Sequence, residues 1–158
     1  MRSRWAVVGW SGTKTSLYGR HTHAIDAKGR VSLPAKFRAE LGERVVVSEG
    51  FDRCLYVHAV ENFEALVEKL NTLSLGKKEA RDLTRGLLSG AHDAEVDTHG
   101  RILLPPDLRE YAGLEREVVI VGVSTRVEIW DRQAYEEFHR RVKDELDSIG
   151  ERLVDAGL

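Results

Sequence analysis

One 14-residue pattern occurs twice in this chain, and that duplication limits the possible folds more than any other feature. Ile25-Asp26-Ala27-Lys28-Gly29-Arg30-Val31-Ser32-Leu33-Pro34-Ala35-Lys36-Phe37-Arg38 returns 71 residues later as Val96-Asp97-Thr98-His99-Gly100-Arg101-Ile102-Leu103-Leu104-Pro105-Pro106-Asp107-Leu108-Arg109. Asp, Gly, Arg, Leu, Pro and Arg recur in order without a gap, and the apolar positions between them are matched in kind. Downstream, Val45-Val46-Val47 corresponds to Val118-Val119-Ile120. Leu55-Tyr56-Val57 corresponds to Glu128-Ile129-Trp130, after a two-residue insertion in the second copy.

Each copy has a local physical reading. Asp26 and Gly29, like Asp97 and Gly100, have turn chemistry: the carboxylate accepts backbone N–H bonds and the glycine supplies a positive φ. Strands flank the turn. In the strand that follows, side chains alternate between faces. Val31 and Leu33 therefore share one face and Arg30 and Ser32 the other; Ile102 and Leu104 likewise oppose Arg101 and Leu103. Pro34 and Pro105 suit the first turn of a helix. Phe37 and Leu41, and Leu108 and Ala112, are then i and i+4 on its buried stripe, with Gly42 and Gly113 as C-terminal caps. Arg38 and Arg109 lie about 100° off that stripe. A second hairpin closes each unit.

A unit this small cannot bury its own core. Two in one chain predict an α+β fold, in which a pseudo-symmetric pair of intertwined hairpins makes a small β-barrel. Phe63, Leu66, Val67, Leu70 and Leu73, then Ala80, Leu83, Leu87 and Ala91, form helical stripes between the copies. Tyr135, Phe138, Val142, Leu146, Ile149 and Leu153 form a third stripe, close to the period of a helix-pairing seam. The expected organisation is a loosely ordered extension over 1–16, a first repeat over 17–63, a helical linker over 64–91, a second repeat over 92–131 and a long C-terminal helix over 132–158.

The doubled Asp-x-x-Gly-Arg-x-x-Leu-Pro-x-x-Phe/Leu-Arg resembles the MraZ family of bacterial transcriptional regulators, and more broadly the AbrB/SpoVT-type DNA-binding domains. The resemblance runs from about Leu17 to Asp155 and includes Ser89-Gly90-Ala91 and the stretch from Leu108 to Leu114. It implies a swapped-hairpin, double-split barrel that assembles into a ring, of eight subunits in well-studied members. It also implies binding to short direct repeats upstream of a division and cell-wall gene cluster, usually as a repressor, with activation in some lineages. Such a protein is cytoplasmic and nucleoid-associated. The chain departs from the family pattern in its N-terminal segment, in His99, and in Ala27-Lys28, where an acidic residue often precedes the lysine.

The net charge of −2 excludes a uniformly basic coat, but the charge is polarised. Between Arg20 and Arg44 there are six basic and three acidic residues; from Asp131 to the end there are five basic and eight acidic. Arginine can meet guanine or phosphate with two bonds, and a twisted two-stranded ribbon fits the major groove. The candidate DNA-binding residues are thus Lys28 and Arg30 in the first turn, Lys36 and Arg38 on the adjacent helix, and Arg101 and Arg109 in the second copy. The first copy is expected to carry more of the contact, because the second has Thr98-His99 at its turn and Asp107 in place of Lys36. Asp26, Gly29, Asp97 and Gly100 are assigned mainly to architecture. Asp26–Arg30 and Asp97–Arg101 pairs could also serve the turn alone.

Other chemistries find little in the sequence. There is no Gly-rich phosphate loop, Gly-x-Ser-x-Gly or His-Glu-x-x-His, so no enzyme, small-molecule substrate or cofactor is expected. His21 and His23 can begin a metal site but have no third ligand near them in sequence. Cys54, the single cysteine, reads as a buried small hydrophobe. No apolar run approaches the length of a membrane helix. Two further readings stay open: a protein-interaction module whose C-terminal helix recruits a partner, and an AbrB-like antitoxin.

Overall fold

The computed structural model describes residues 15–157. The expected N-terminal extension lies outside the described residues except for Thr15 and Ser16, and these two are tied to Glu40: Thr15 Oγ1 donates to Oε2 at 2.9 Å and the Ser16 amide to Oε1 at 2.6 Å.

Among the described residues eight strands and five α-helices follow. The first copy supplies β1 (Tyr18–Ala24), β2 (Arg30–Ser32), α1 (Ala35–Leu41), β3 (Arg44–Glu49), β4 (Leu55–Ala59) and α2 (Val60–Asn71). After α3 (Lys78–Ser89) the second copy repeats the order with β5 (His92–Glu95), β6 (Arg101–Leu103), α4 (Pro106–Tyr111), β7 (Glu117–Val123) and β8 (Val127–Asp131). α5 (Arg132–Leu153) comes last and is followed by a single 3-10 turn at Val154–Ala156, so the long helix stops short of the 132–158 expected from sequence. β3, β4, β7 and β8 fall on runs rich in Val, Ile and Leu, and each short helix begins where proline fixes φ: Pro34 caps α1, Pro105 caps α4, and Pro106 is its first residue.

The architecture is mixed α+β with an antiparallel sheet in the order β1-β7-β8-β4-β3-β5, plus a separate two-stranded ribbon of β2 and β6. The copies exchange strands: β1 pairs with β7 of the second copy and β5 with β3 of the first. Among the described residues no ladder joins β1 to β5, so the sheet is open, whereas the sequence predicted a barrel.

The core is assembled from matched pairs. Val31 and Ile102, Leu33 and Leu104, and Phe37 and Leu108 sit 71 residues apart, and all six are essentially fully buried in one cluster. Burial of each such side chain contributes about 1.5–3 kcal/mol. One sequence correspondence needs correcting. Leu55 faces Ile129, Tyr56 faces Glu128 and Val57 faces Val127 across β4 and β8. The structural equivalents of Leu55-Tyr56-Val57 are therefore Val127-Glu128-Ile129, one residue earlier than the sequence suggests. A one-residue slip exchanges the faces of a strand, and only this register puts Leu55, Val57, Val127 and Ile129 together in the core.

The sheet's outer face is covered by helices. On one half, α5 lays Tyr135 and Phe138 against Trp130. On the other, α2 lays Phe63 against His58, the residue that occupies Trp130's place in the first copy. The C-terminal stripe is only partly used: Tyr135 is buried and Phe138 and Val142 half-buried, but Leu146 is 59% and Leu153 48% exposed. Cys54 is buried, with its thiol donating to the Phe51 carbonyl at 3.3 Å and burial pushing its pKa up.

Candidate nucleic-acid interface

Both turns are built alike. Asp26 Oδ1 accepts the Lys28 and Arg30 amides at 2.9 Å each, and Oδ2 accepts Arg30 Nε at 2.8 Å. Asp97 holds the His99 and Arg101 amides and Arg101 Nε, all at 2.9 Å. These bonds stabilise the charged carboxylates. The arginine amide is the largest contributor in both turns, and both aspartates titrate below the ordinary carboxylate range. The pairing across the turn that the sequence allowed is thus present, yet it engages Nε and directs each guanidinium. Among the described residues Arg30 has no further side-chain partner, and Arg101 has only the marginal approach of His99 Nδ1 at 3.5 Å.

The turns lead into the ribbon, where Arg30 faces Leu103, Val31 faces Ile102 and Ser32 faces Arg101. Val31 and Ile102 point into the core. Arg30, Ser32, Arg101 and Leu103 therefore share the opposite face, as the alternation predicts. Leu103 stands 55% exposed between the two arginines. It was not among the candidates, although the alternation that places Arg101 places it too. Lys28 is exposed at the first tip and its ammonium has no partner among the described residues.

The helix arginines take positions that depend on the exchange of strands. Arg38 lies against Gly100 and Arg109 against Gly29, so each helix clamps the other copy's turn. Arg109 Nε also donates to the Leu104 carbonyl at 2.9 Å. Backbone bonds cross in the same way, from the Leu33 amide to the Gly100 carbonyl and from the Leu104 amide to the Gly29 carbonyl, both at 2.9 Å. Lys36 is engaged elsewhere: its ammonium sits 3.2 Å from the centroid of the Tyr18 ring and donates to the Tyr18 carbonyl. Its counterpart Asp107 pairs with His92 at 3.1 Å. The structure thus gathers Lys28, Arg30, Arg101, Arg38 and Arg109 around the ribbon and its turns. The two acids there, Asp26 and Asp97, are already bonded to Arg30 and Arg101.

The two glycines can be told apart by substitution. Both have positive φ, +84° at Gly29 and +78° at Gly100, where an L side chain costs about 1–2 kcal/mol. A Cβ at Gly29 would lie 3.2 Å from the Arg109 guanidinium; one at Gly100 would collide with that of Arg38. Gly100→Ala is therefore expected to destabilise more than Gly29→Ala in denaturant titrations. Equal losses would show that Arg38 moves aside freely and clamps nothing.

Elsewhere, the His21 and His23 rings lie 6.5 Å apart on β1, and no cluster of three metal-ligating side chains occurs among the described residues. No described helix is long and apolar enough to cross a membrane.

Comparison with known proteins agrees with the doubling. The family model for MraZ protein, putative antitoxin-like, matches residues 17–86 and again 87–156. The chain is 48% identical over 142 residues to the transcriptional regulator MraZ of Thermoanaerobacter sp. (strain X514), covering 90% of this chain and 99% of the relative. It is 49% identical over 137 residues to that of Caldanaerobacter subterraneus subsp. tengcongensis, covering 87% and 96%. For Moorella thermoacetica the figures are 47% over 137 residues, covering 87% and 96%.

Proposed function

Because this chain belongs to the MraZ family, we propose that it is a DNA-binding transcriptional regulator, not an enzyme, and that its β2–β6 ribbon enters the major groove. The outer face of that ribbon carries the reading. Two arginines held at Nε by their own turn aspartates aim their free ends away from the core, and the nearby acids are already occupied. Pre-positioned guanidinium groups suit bidentate contact to guanine O6 and N7, and Leu103 between them suits a thymine methyl. Lys28 at the tip suits phosphate. Lys36, Arg38 and Arg109 are secondary contacts: Lys36 packs on Tyr18, and the two arginines chiefly hold the turns.

We read the exchanged strands as a swapped-hairpin, double-split barrel whose halves the ribbon ties together. A single ribbon makes few contacts and its grip falls steeply with salt. Several copies on several DNA repeats gain affinity through effective concentration, which favours a homo-oligomeric ring, an octamer for instance. In this reading the protein is cytoplasmic and nucleoid-associated, and represses its own division and cell-wall gene cluster.

The test is a mobility shift with the DNA just upstream of the chain's own gene, across a salt series. Log affinity is expected to fall linearly with log salt. Lys28→Gln should weaken binding to all sequences alike and reduce the slope by about one per engaged subunit. Binding that ignores salt, or a slope unchanged in Lys28→Gln, removes the first tip from the interface.

A further inference from the structure

The two turns share one plan and carry different bases at the same place. Lys28 and His99 each stand third in Asp-x-x-Gly, and both are exposed. Asp26 accepts the Lys28 amide and Asp97 the His99 amide, each at 2.9 Å. The backbone thus presents the two side chains alike, at opposite ends of the ribbon: Gly29 bonds beside Leu104 and Gly100 beside Leu33. A lysine at such a tip stays charged across neutral pH. An imidazole changes its charge between about pH 5 and 8.

The groups around His99 lack a counter-charge for it. Its Nδ1 lies 3.5 Å from Arg101 Nη2 and 3.4 Å from Thr98 Oγ1. The Arg38 guanidinium of α1 lies against Gly100, the next residue. The acid of the turn, Asp97, is bonded to Arg101 Nε. Other charges on the packed elements are engaged elsewhere. On α1, Lys36 covers Tyr18 and Glu40 holds Thr15 and Ser16. On β5, His92 pairs with Asp107, while Asp93 and Glu95 stand across from Val46 and Arg44. On β2, Arg30 is held by Asp26. A neutral ring can accept from Arg101 at Nδ1; a protonated ring can only donate. Its Nε2 has no partner among the described residues. A DNA phosphate is the anion this tip is missing.

We propose that His99 is a proton-gated phosphate contact: the ring takes up a proton as the second turn meets DNA, so binding tightens as pH falls. This inference rests on the DNA-binding reading above and names a regulation of the same site. The sign follows from linkage. A complex that holds more protons than its separate parts gains affinity on acidification, and the coupling is reciprocal. Above neutrality the ribbon grips phosphate with one charged tip, Lys28; near pH 6 it does so with both. Each unit by which a phosphate raises an imidazole's pKa tightens binding about tenfold per engaged protomer.

Mobility shifts of the full chain between about pH 8 and 6, each over a salt series, test this. The probes are the DNA just upstream of the chain's own gene and a random duplex of the same length. The unmodified chain should bind both up to about tenfold more tightly per engaged protomer at the acid end, with a salt slope steeper by about one per engaged protomer. His99→Gln should keep the weaker affinity throughout, and His99→Lys the tighter one. Rescue by lysine separates a phosphate contact from a structural role, because Asp97 holds the backbone amide at this position whatever the side chain. Circular dichroism spectra should match over the same range. Affinity that is level with pH, or a rise that survives in His99→Gln, overturns the proposal; the ribbon reading then stands if Lys28→Gln still weakens binding. A rise confined to the upstream DNA overturns the phosphate contact in favour of a base contact. A chain that shifts neither duplex overturns both readings.

Discussion

Arg30→Ala is expected to lose about 1–3 kcal/mol of operator affinity for each subunit engaged, roughly 5- to 150-fold in the dissociation constant per contact, compounded across an oligomer. The fold should hardly notice. Arg30 and Asp26 form a partly exposed pair, and pairs of that kind contribute about 0–1 kcal/mol. The amides of Lys28 and Arg30, which hold the turn, remain in place. Arg30→Lys separates the two kinds of DNA contact: it keeps charge for phosphate but loses the planar fork for guanine. It should retain affinity for random DNA while its preference for the operator shrinks. Arg101→Ala should lose less, since His99 stands where the first tip has Lys28. Mobility shifts at fixed salt, paired with thermal melts, check all three. Operator binding by Arg30→Ala equal to that of the unmodified chain would falsify the assignment, and a melt that drops in step with binding would return Arg30 to a purely structural role.

Acidification between pH 6.5 and 4 should remove about 3 kcal/mol of folding stability, through His58. This imidazole is buried between Tyr56 and Phe63, edge-on to both rings, and its Nδ1 has no partner among the described residues. Burial first, and then the positive charge of Arg126, lower its pKa from 6.5 to about 4. The unfolded chain therefore takes up a proton at higher pH than the folded one. The stabilisation is complete above pH 6.5 and is lost as pH falls toward 4, at about 1.4 kcal/mol per unit. His23, whose pKa is lowered by burial and then by His21, acts in the same direction. Asp26 and Asp97 do not share this window: with lowered carboxyl pKa values, their contribution is lost only below about pH 4. Urea titrations at fixed protomer concentration should show the decline, and His58→Phe should flatten most of it. A denaturation midpoint in the unmodified chain that is level from pH 7 to 4.5 would show that His58 titrates normally.

Much of this architecture is legible in the residues because it is local. The Asp-x-x-Gly turn determines its own hydrogen bonds, and alternation along three-residue strands puts Arg30 and Arg101 opposite Val31 and Ile102. The 71-residue offset pairs the core. What was not legible depends on the exchange between copies or on loop length. Nothing near Arg38 in sequence announces Gly100; the contact exists because the copies cross. The register of β8 followed from a β7–β8 connection one residue shorter than the sequence match assumed. Lys36 looked free because Tyr18, which it covers, lies on a strand 18 residues earlier. That the six-stranded sheet runs open from β1 to β5 is a property of strand order, which no residue pattern states.

The matched turns are equal in backbone and unlike at their tips, Lys28 at one and His99 at the other. A homodimer of identical units looks the same from either end and so reads a palindrome. This chain does not: reversing it on the duplex exchanges a lysine tip for a histidine tip and Ser32 for Leu103. On the proposed interface its footprint would have polarity, and protomers bound to a run of direct repeats would all point the same way along the helix axis.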